Sequence, residues 1–155
     1  MHGYVLSSDP AHLDRDRVFA WLSGDAYWSL GRPRETVERS IDGSLVLGAY
    51  RDDGRGMPGE QVGVARAVTD RATFAWICDV YIAPECRGEG LGGWLVGSLV
   101  EALEGEGVTR MVLATRDAHE VYARLGFEPL ANPVMWMERD RRAIRPTPPT
   151  MGGPA

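Results

Sequence analysis

The stretch "VYIAPECRGEGLGG", residues 80–93, decides the fold, because an apolar run ends in it and a leucine-rich segment starts from it. Five of the seven residues after Cys86 are Arg or Gly. Glycine at that density strips away side chains and lets the backbone approach something closely. Two patterns overlap here: G-x-G-x-x-G at Gly88, Gly90 and Gly93, and R-x-x-G-x-G at Arg87, Gly90 and Gly92. The first is the dinucleotide fingerprint, which belongs after the first strand of an alternating β/α chain, with an acidic residue about 20 positions on. Here the glycines lie past the midpoint, three antiparallel-looking strands precede them, and no acidic residue follows the next strand until Asp117. A strand, a short loop with Arg, and Gly-x-Gly opening a helix instead describe a backbone anion site. Free N–H groups and the helix dipole both favour negative charge there, and Arg87 adds a charge-assisted donor. A pyrophosphate suits it.

Outward from this stretch the periods are clear. Leu91, Leu95, Leu99 and Leu103 recur every four residues, a helix with a broad apolar face. "TFAWICDVYI" (73–82) reads as a central strand buried on both faces. "SLVLGAY" (44–50) and "QVGVARAV" (61–68), separated by a polar Gly/Pro turn, read as a hairpin. "GYVLSS" is a short first strand. Apolar residues at 13, 18, 19, 21 and 22 make an amphipathic helix, and "RPRETVERSI" a second one starting near Pro33. "VTRMVLAT" (108–115) is a further strand and "DAHEVYARLG" (117–126) a short helix, with Asp117 as its cap, Glu120 at the capping-box position and Gly126 at its C′ end. "FEPL" and "VMWMER" (134–139) read as closing strands. The order is β-α-α-β-β-β-α-β-α-β, an α+β fold with one domain over 1–140 and a Pro/Gly-rich tail over 141–155.

The sequence now resembles a family. "DVYIAPECRGEGLGGWLVGSLVEAL" looks like the acetyl-CoA-binding motif of the GCN5-related N-acetyltransferase (GNAT) superfamily, Gln/Arg-x-x-Gly-x-Gly/Ala, with Arg87, Gly90 and Gly92 in place. "VYARLGFEPL" is similar to its later motif, a Tyr four residues before Gly-Phe, here Tyr122, Gly126 and Phe127. The resemblance covers about residues 13 to 138. It implies a central mixed, mostly antiparallel sheet, splayed in a V between the strands at 73–82 and 108–115 and flanked by helices. It implies acetyl-CoA as co-substrate, with the pantetheine arm along Val80, Tyr81 and Ile82. The pyrophosphate then sits on the amides of Arg87, Gly88, Glu89, Gly90, Leu91, Gly92 and Gly93. Tyr122 becomes the acid for the leaving thiolate. The segment joining the first two helices, with Tyr27 and Trp28, becomes a wall of the acceptor pocket together with Trp76.

Asp79 is the candidate base or substrate anchor: aspartate is depleted in strand interiors, and one inside "WICDVYI" is costly unless paired or working. Burial is expected to raise its pKa, and period two puts it on a face with Ile77 and Tyr81. The bland alternative is a structural carboxylate bonded to backbone or Arg. His119, three residues before Tyr122, is the other titratable candidate near the acceptor, against an ordinary solvated histidine. Tyr122 and the Tyr27–Trp28 pair equally have a reading as plain core aromatics.

Composition narrows the function. The chain has 155 residues and a formal net charge of -5, which argues against a nucleic-acid partner. All 17 basic residues are Arg, so no lysine is available as a Schiff-base nucleophile or self-acylation site. Cys78 and Cys86 suffice for neither a disulfide framework nor a zinc site, and no metal is expected. Without a leader-like or bilayer-length apolar run, a cytoplasmic protein with no membrane partner is expected. The expected activity is direct acetyl transfer from acetyl-CoA to an amine, a small molecule rather than a protein, by a homodimer as in many relatives. The alternatives are an acyl-CoA-binding module without turnover and an acyltransferase for another acyl group.

Overall fold

The structure is a computed structural model and describes residues 1–141. The expected tail therefore lies, apart from Arg141, outside the described residues. Contacts divide the chain into two units, Met1–Leu113 and the segment from Ala114 on.

The first unit contains β1 (Tyr4–Ser7), α1 (Arg15–Gly24), α2 (Arg34–Asp42), β2 (Leu45–Asp52), β3 (Pro58–Thr69), β4 (Ala75–Ile82), α3 (Leu91–Gly105) and β5 (Met111–Val112). Each of the first eight expected elements is present, in order. Asp14 caps α1 by accepting from Arg17 N–H at 2.9 Å. The strands form one sheet in the order β1-β2-β3-β4-β5, antiparallel except for the parallel β4–β5 pair. The fold is therefore the expected α+β arrangement with a mixed, mostly antiparallel sheet.

Two cores cover the two faces. α1 and α2 pack Val18, Leu22, Val37 and Ile41 over Val64 and Tyr81. α3 lies against β2, β3 and β4, and its leucines Leu91, Leu95, Leu99 and Leu103 are all buried. Each such leucine contributes about 1.5–3 kcal/mol of transfer free energy. Small residues on the strands, Gly63, Ala65, Ala67 and Ala75, are buried as well. A Cβ at Gly63 would stand 2.7 Å from Ile82 Cδ1 and 3.1 Å from the Tyr81 carbonyl oxygen, so any larger residue there would make the Ile82 side chain shift.

β4 departs from the sequence reading in two ways. Val64 pairs with Tyr81 but Arg66 with Cys78, so Asp79 and Val80 together stand opposite Ala65. This is a β-bulge, and Asp79 sits at φ 49°, a left-handed conformation that Asp tolerates better than most residues. The bulge breaks period two. Cys78 and Tyr81, opposite Arg66 and Val64, share the α1–α2 face, while Ile77 opposes Ala67 on the other side. Asp79 therefore does not share a simple pleat face with both Ile77 and Tyr81. Nor is β4 buried on both faces throughout, since Trp76 is 38% exposed.

β5 is much shorter than the expected 108–115. It pairs with β4 only through Ala75↔Met111 and Trp76↔Val112, while β4 runs on to Ile82. That divergence is the V-shaped opening. In the second unit, α4 covers only His119–Ala123. Its N-cap is Ala118, whose N–H bonds Thr115 Oγ1 at 3.1 Å, so Asp117 is not the cap and pairs with Arg116 instead. Gly126 takes φ 84° past the helix end, as expected. The expected closing strands are absent among the described residues. Pro133–Met135 forms a 3-10 turn there, since proline lacks a ladder donor and its fixed φ suits a helical first turn.

Candidate active site

The glycine loop begins where β4 ends. Pro84–Cys86 makes a 3-10 turn, and Gly90, at φ 82°, is the N-cap of α3 with no side chain bonding the helix N-terminus. Gly88 takes φ 83°. These two glycines are required by the backbone itself. Gly92 is different: it has no positive φ, and a Cβ there would only touch Ile82 Cγ1 at an ordinary 3.6 Å. Nothing inside the fold excludes a side chain at 92, so the backbone does not itself require this glycine. Leu91 is buried and can offer only its backbone. Glu89 accepts from the Tyr4 hydroxyl at 3.1 Å, which ties the loop to β1. The arrangement is an open helix N-terminus with close backbone access, and it fits a pyrophosphate.

Arg87 folds back toward the strand. Its Nε donates to the Ile82 carbonyl at 2.8 Å, its guanidinium lies 5.2 Å over the Tyr81 ring, and Nη2 reaches Asp25 at 3.4 Å. The Tyr81 hydroxyl donates to the same Asp25 carboxylate at 2.6 Å, while Trp21 stacks on the ring at 5.1 Å. Burial, with Asp25 adding to it, pushes the Tyr81 phenol up to about 12. So the open end of β4 is joined to the end of α1 by Asp25, a residue the sequence reading did not single out.

Asp79 is held more tightly. It is 5% exposed. Oδ1 accepts from Trp28 Nε1 at 3.1 Å, and Oδ2 from Arg32 Nη1 at 2.8 Å and Arg66 Nε and Nη2 at 3.0 and 2.9 Å. Burial is the largest single influence and raises its pKa, but the hydrogen bonds and charges of Arg32 and Arg66 together outweigh it, and the carboxyl lies below its ordinary value. This reverses the expected direction: the desolvation is real, but two guanidiniums answer it. Arg66 also donates to Ser44 Oγ at 2.7 Å. Arg32 and Arg66 were missed in the sequence, although Arg66 carried the same signal as Asp79, a charge inside an apolar strand ("VGVARAV").

The structure thus brings Trp28 and Asp79 together, with Tyr27 edge-on to Trp28 at 5.0 Å and 37% exposed. Trp76 lies on the α1–α2 face of β4 by its pairing with Val68. In the second unit Tyr122 is half-buried and packs edge-on against Phe127 at 6.0 Å, and His119 is exposed at the start of α4. Cys78 is partly buried, and burial pushes its thiol up to about 11, away from nucleophilic use.

Comparison with known proteins places this geometry in a class. Residues 15–127 match the model of the acetyltransferase (GNAT) family, and the chain belongs to that family. A protein of Gibberella zeae named "Putative acetyltransferase FG08082" is 36% identical over 135 residues, 78% of this chain and 76% of the relative. A GNAT-family protein of Xanthomonas campestris pv. campestris, solved as a crystal structure, superposes with TM-score 0.80 at 39% identity, covering 90% of this chain and 94% of that one. The fold also matches N-acetylglutamate synthase from Neisseria gonorrhoeae, solved in complex with coenzyme A and N-acetyl-glutamate. That match has TM-score 0.60 at 21% identity over 78% of this chain and 27% of that one. Among the described residues no helix is long and apolar enough to cross a membrane.

Proposed function

We propose that this protein is an acetyl-CoA-dependent N-acetyltransferase that passes the acetyl group directly to the amine of a small molecule. The observation that carries the reading is the uncapped, glycine-opened N-terminus of α3 beside the diverging end of β4. The amides of residues 87–93 would hold the pyrophosphate, and the backbone of Val80, Tyr81 and Ile82 the pantetheine arm, as an added strand. Arg87 leaves the Ile82 carbonyl when that arm arrives and turns to the phosphates. The co-substrate supplies the acetyl group; the chain supplies position, charge and proton transfer. Tyr27, Trp28 and Trp76 line the acceptor side.

Asp79 serves this site as a positioning residue. With both oxygens engaged and its pKa lowered, it anchors Trp28 and Arg32 to the bulge in β4. A water chain or His119 then takes the amine proton. Tyr122 donates to the departing thiolate, a role that rests on its motif spacing. Tyr122→Phe is expected to lower kcat about 100- to 10,000-fold, the range of one lost general acid, while acetyl-CoA affinity is kept. Equal turnover by the variant removes the acid role.

The reading is tested by incubating the protein with acetyl-CoA and a panel of amines and following free thiol, with mass spectrometry of the products. Amine-dependent thiol release with an N-acetyl product supports it. Tight acetyl-CoA binding without release across the panel favours a binding module instead, and an O-acyl product or a preference for longer acyl donors redirects the substrate class.

A further inference from the structure

On the first unit, away from the glycine loop, the end of β1, the 3-10 turn at Pro10–His12, the end of α2 and the start of β2 enclose an open cavity of about 560 Å³. That is within the roughly 300–1,000 Å³ of small-molecule sites. Tyr50 lines it and is 1% exposed, and its hydroxyl is the one buried side-chain polar atom among the described residues without a hydrogen-bond partner. The ring lies across Gly48, also in the lining: a Cβ at 48 would stand 2.3 Å from the Tyr50 oxygen. So a glycine makes room for a phenol that has nothing to bond, against the general rule that buried polar groups are paired.

The neighbouring charges are already used. Arg15 bonds Glu38 and Asp42 at 2.8 and 2.7 Å, Arg71 is paired with Glu106, and Asp9 accepts from Ala11 N–H at 2.9 Å. The arginines and Asp42 of the lining are thus ion-paired, while Asp9 is held by a backbone N–H. Water is a poor occupant too. It needs two to four polar partners, and three of the nearby hydroxyls are already engaged: Ser7 with His12, Ser44 with Ser40 and Arg66, Thr69 with Phe74. What the walls do offer is apolar surface from Leu13, Ile41 and Val46.

We propose that this cavity binds a small uncharged molecule that lays an apolar body on Leu13, Ile41 and Val46 and presents an oxygen acceptor to the Tyr50 hydroxyl. Burial, with Asp14 and Asp9 adding to it, pushes the Tyr50 phenol up to about 12, so it stays protonated and acts as donor. The site is distinct from the glycine loop and does not rest on the acetyl-transfer reading.

The test is an amide-detected NMR titration of the full chain with cyclohexanone, and with cyclohexylamine as the charged counterpart. Saturable shifts at residues 7–13 and 41–48 are expected for the ketone, with roughly tenfold weaker binding in Tyr50→Phe, the weight of one buried hydrogen bond. Saturating coenzyme A should leave ketone affinity unchanged. The thermal midpoint of Tyr50→Phe should be unchanged or raised, since the lost hydroxyl had no partner. No saturable shifts at those residues, equal ketone affinity in the variant, equal or tighter binding of the amine, displacement by coenzyme A, or a fall in the variant's midpoint would each overturn the proposal.

Discussion

Gly90→Glu is expected to abolish binding of coenzyme A. Gly90 sits at φ 82° as the N-cap of α3, and a side chain there strains the backbone by about 1–2 kcal/mol. Space is not the obstacle, because a Cβ would meet only Met1 Cε at 3.7 Å. The carboxylate is. Placed about 4 Å from a phosphate charge it costs about 4 kcal/mol at an effective dielectric of 20, and that alone is about a thousandfold in Kd. Gly90→Ala carries the strain without the charge and should weaken binding much less. Calorimetric titration of the three proteins, each checked by circular dichroism for intact fold, separates the effects. Retained affinity in the glutamate variant would place the phosphates elsewhere.

The second large effect is on stability. Asp79→Ala leaves the guanidiniums of Arg32 and Arg66 without their shared counter-charge, next to a strand where Asp79 is 5% exposed. Breaking a buried pair from one side costs about 3–5 kcal/mol, a large part of the 5–15 kcal/mol typical of a domain. Alanine also tolerates φ 49° less well than aspartate. Asp79→Asn keeps shape, the αL conformation and a bond to Trp28, so it should lose less. The pH dependence has a definite sign. The folded carboxyl lies below its ordinary value, so its contribution is complete above the unfolded value near 3.9 and is lost as pH falls through the folded value. Denaturant unfolding should therefore show the largest gap between the natural chain and Asp79→Asn near neutral pH, shrinking below about pH 4. An Asp79→Ala chain as stable as the natural one would mean that the ion-pair cluster contributes nothing.

Much of this protein was legible in one dimension. Strands and helices with a clean apolar period, such as the leucine ladder of α3 and the β2–β3 hairpin, lie where the period put them, because burial of one face is what forms them. The R-x-x-G-x-G motif lies where α3 opens, within the residues that match the family model, and its Gly90 takes a left-handed φ there. The unread part is where local signals compete. "VMWMER" alternates like a strand, yet the preceding Pro133 starts a 3-10 turn.

Asp79 shows the division most clearly. The sequence by itself determined that a carboxylate in the middle of "WICDVYI" must be paired or working, because bare charge does not survive in a strand interior. Only the tertiary structure decided which. The bulge at Asp79 and Val80 turns the side chain out of period two, and β3 and the segment after α1 bring Arg66 and Arg32 to within 3 Å of one oxygen. Desolvation is a property of a residue and its strand, so sequence can foresee it. The charges that outweigh it come from 13 and 47 residues away along the chain, and only folding sets those distances.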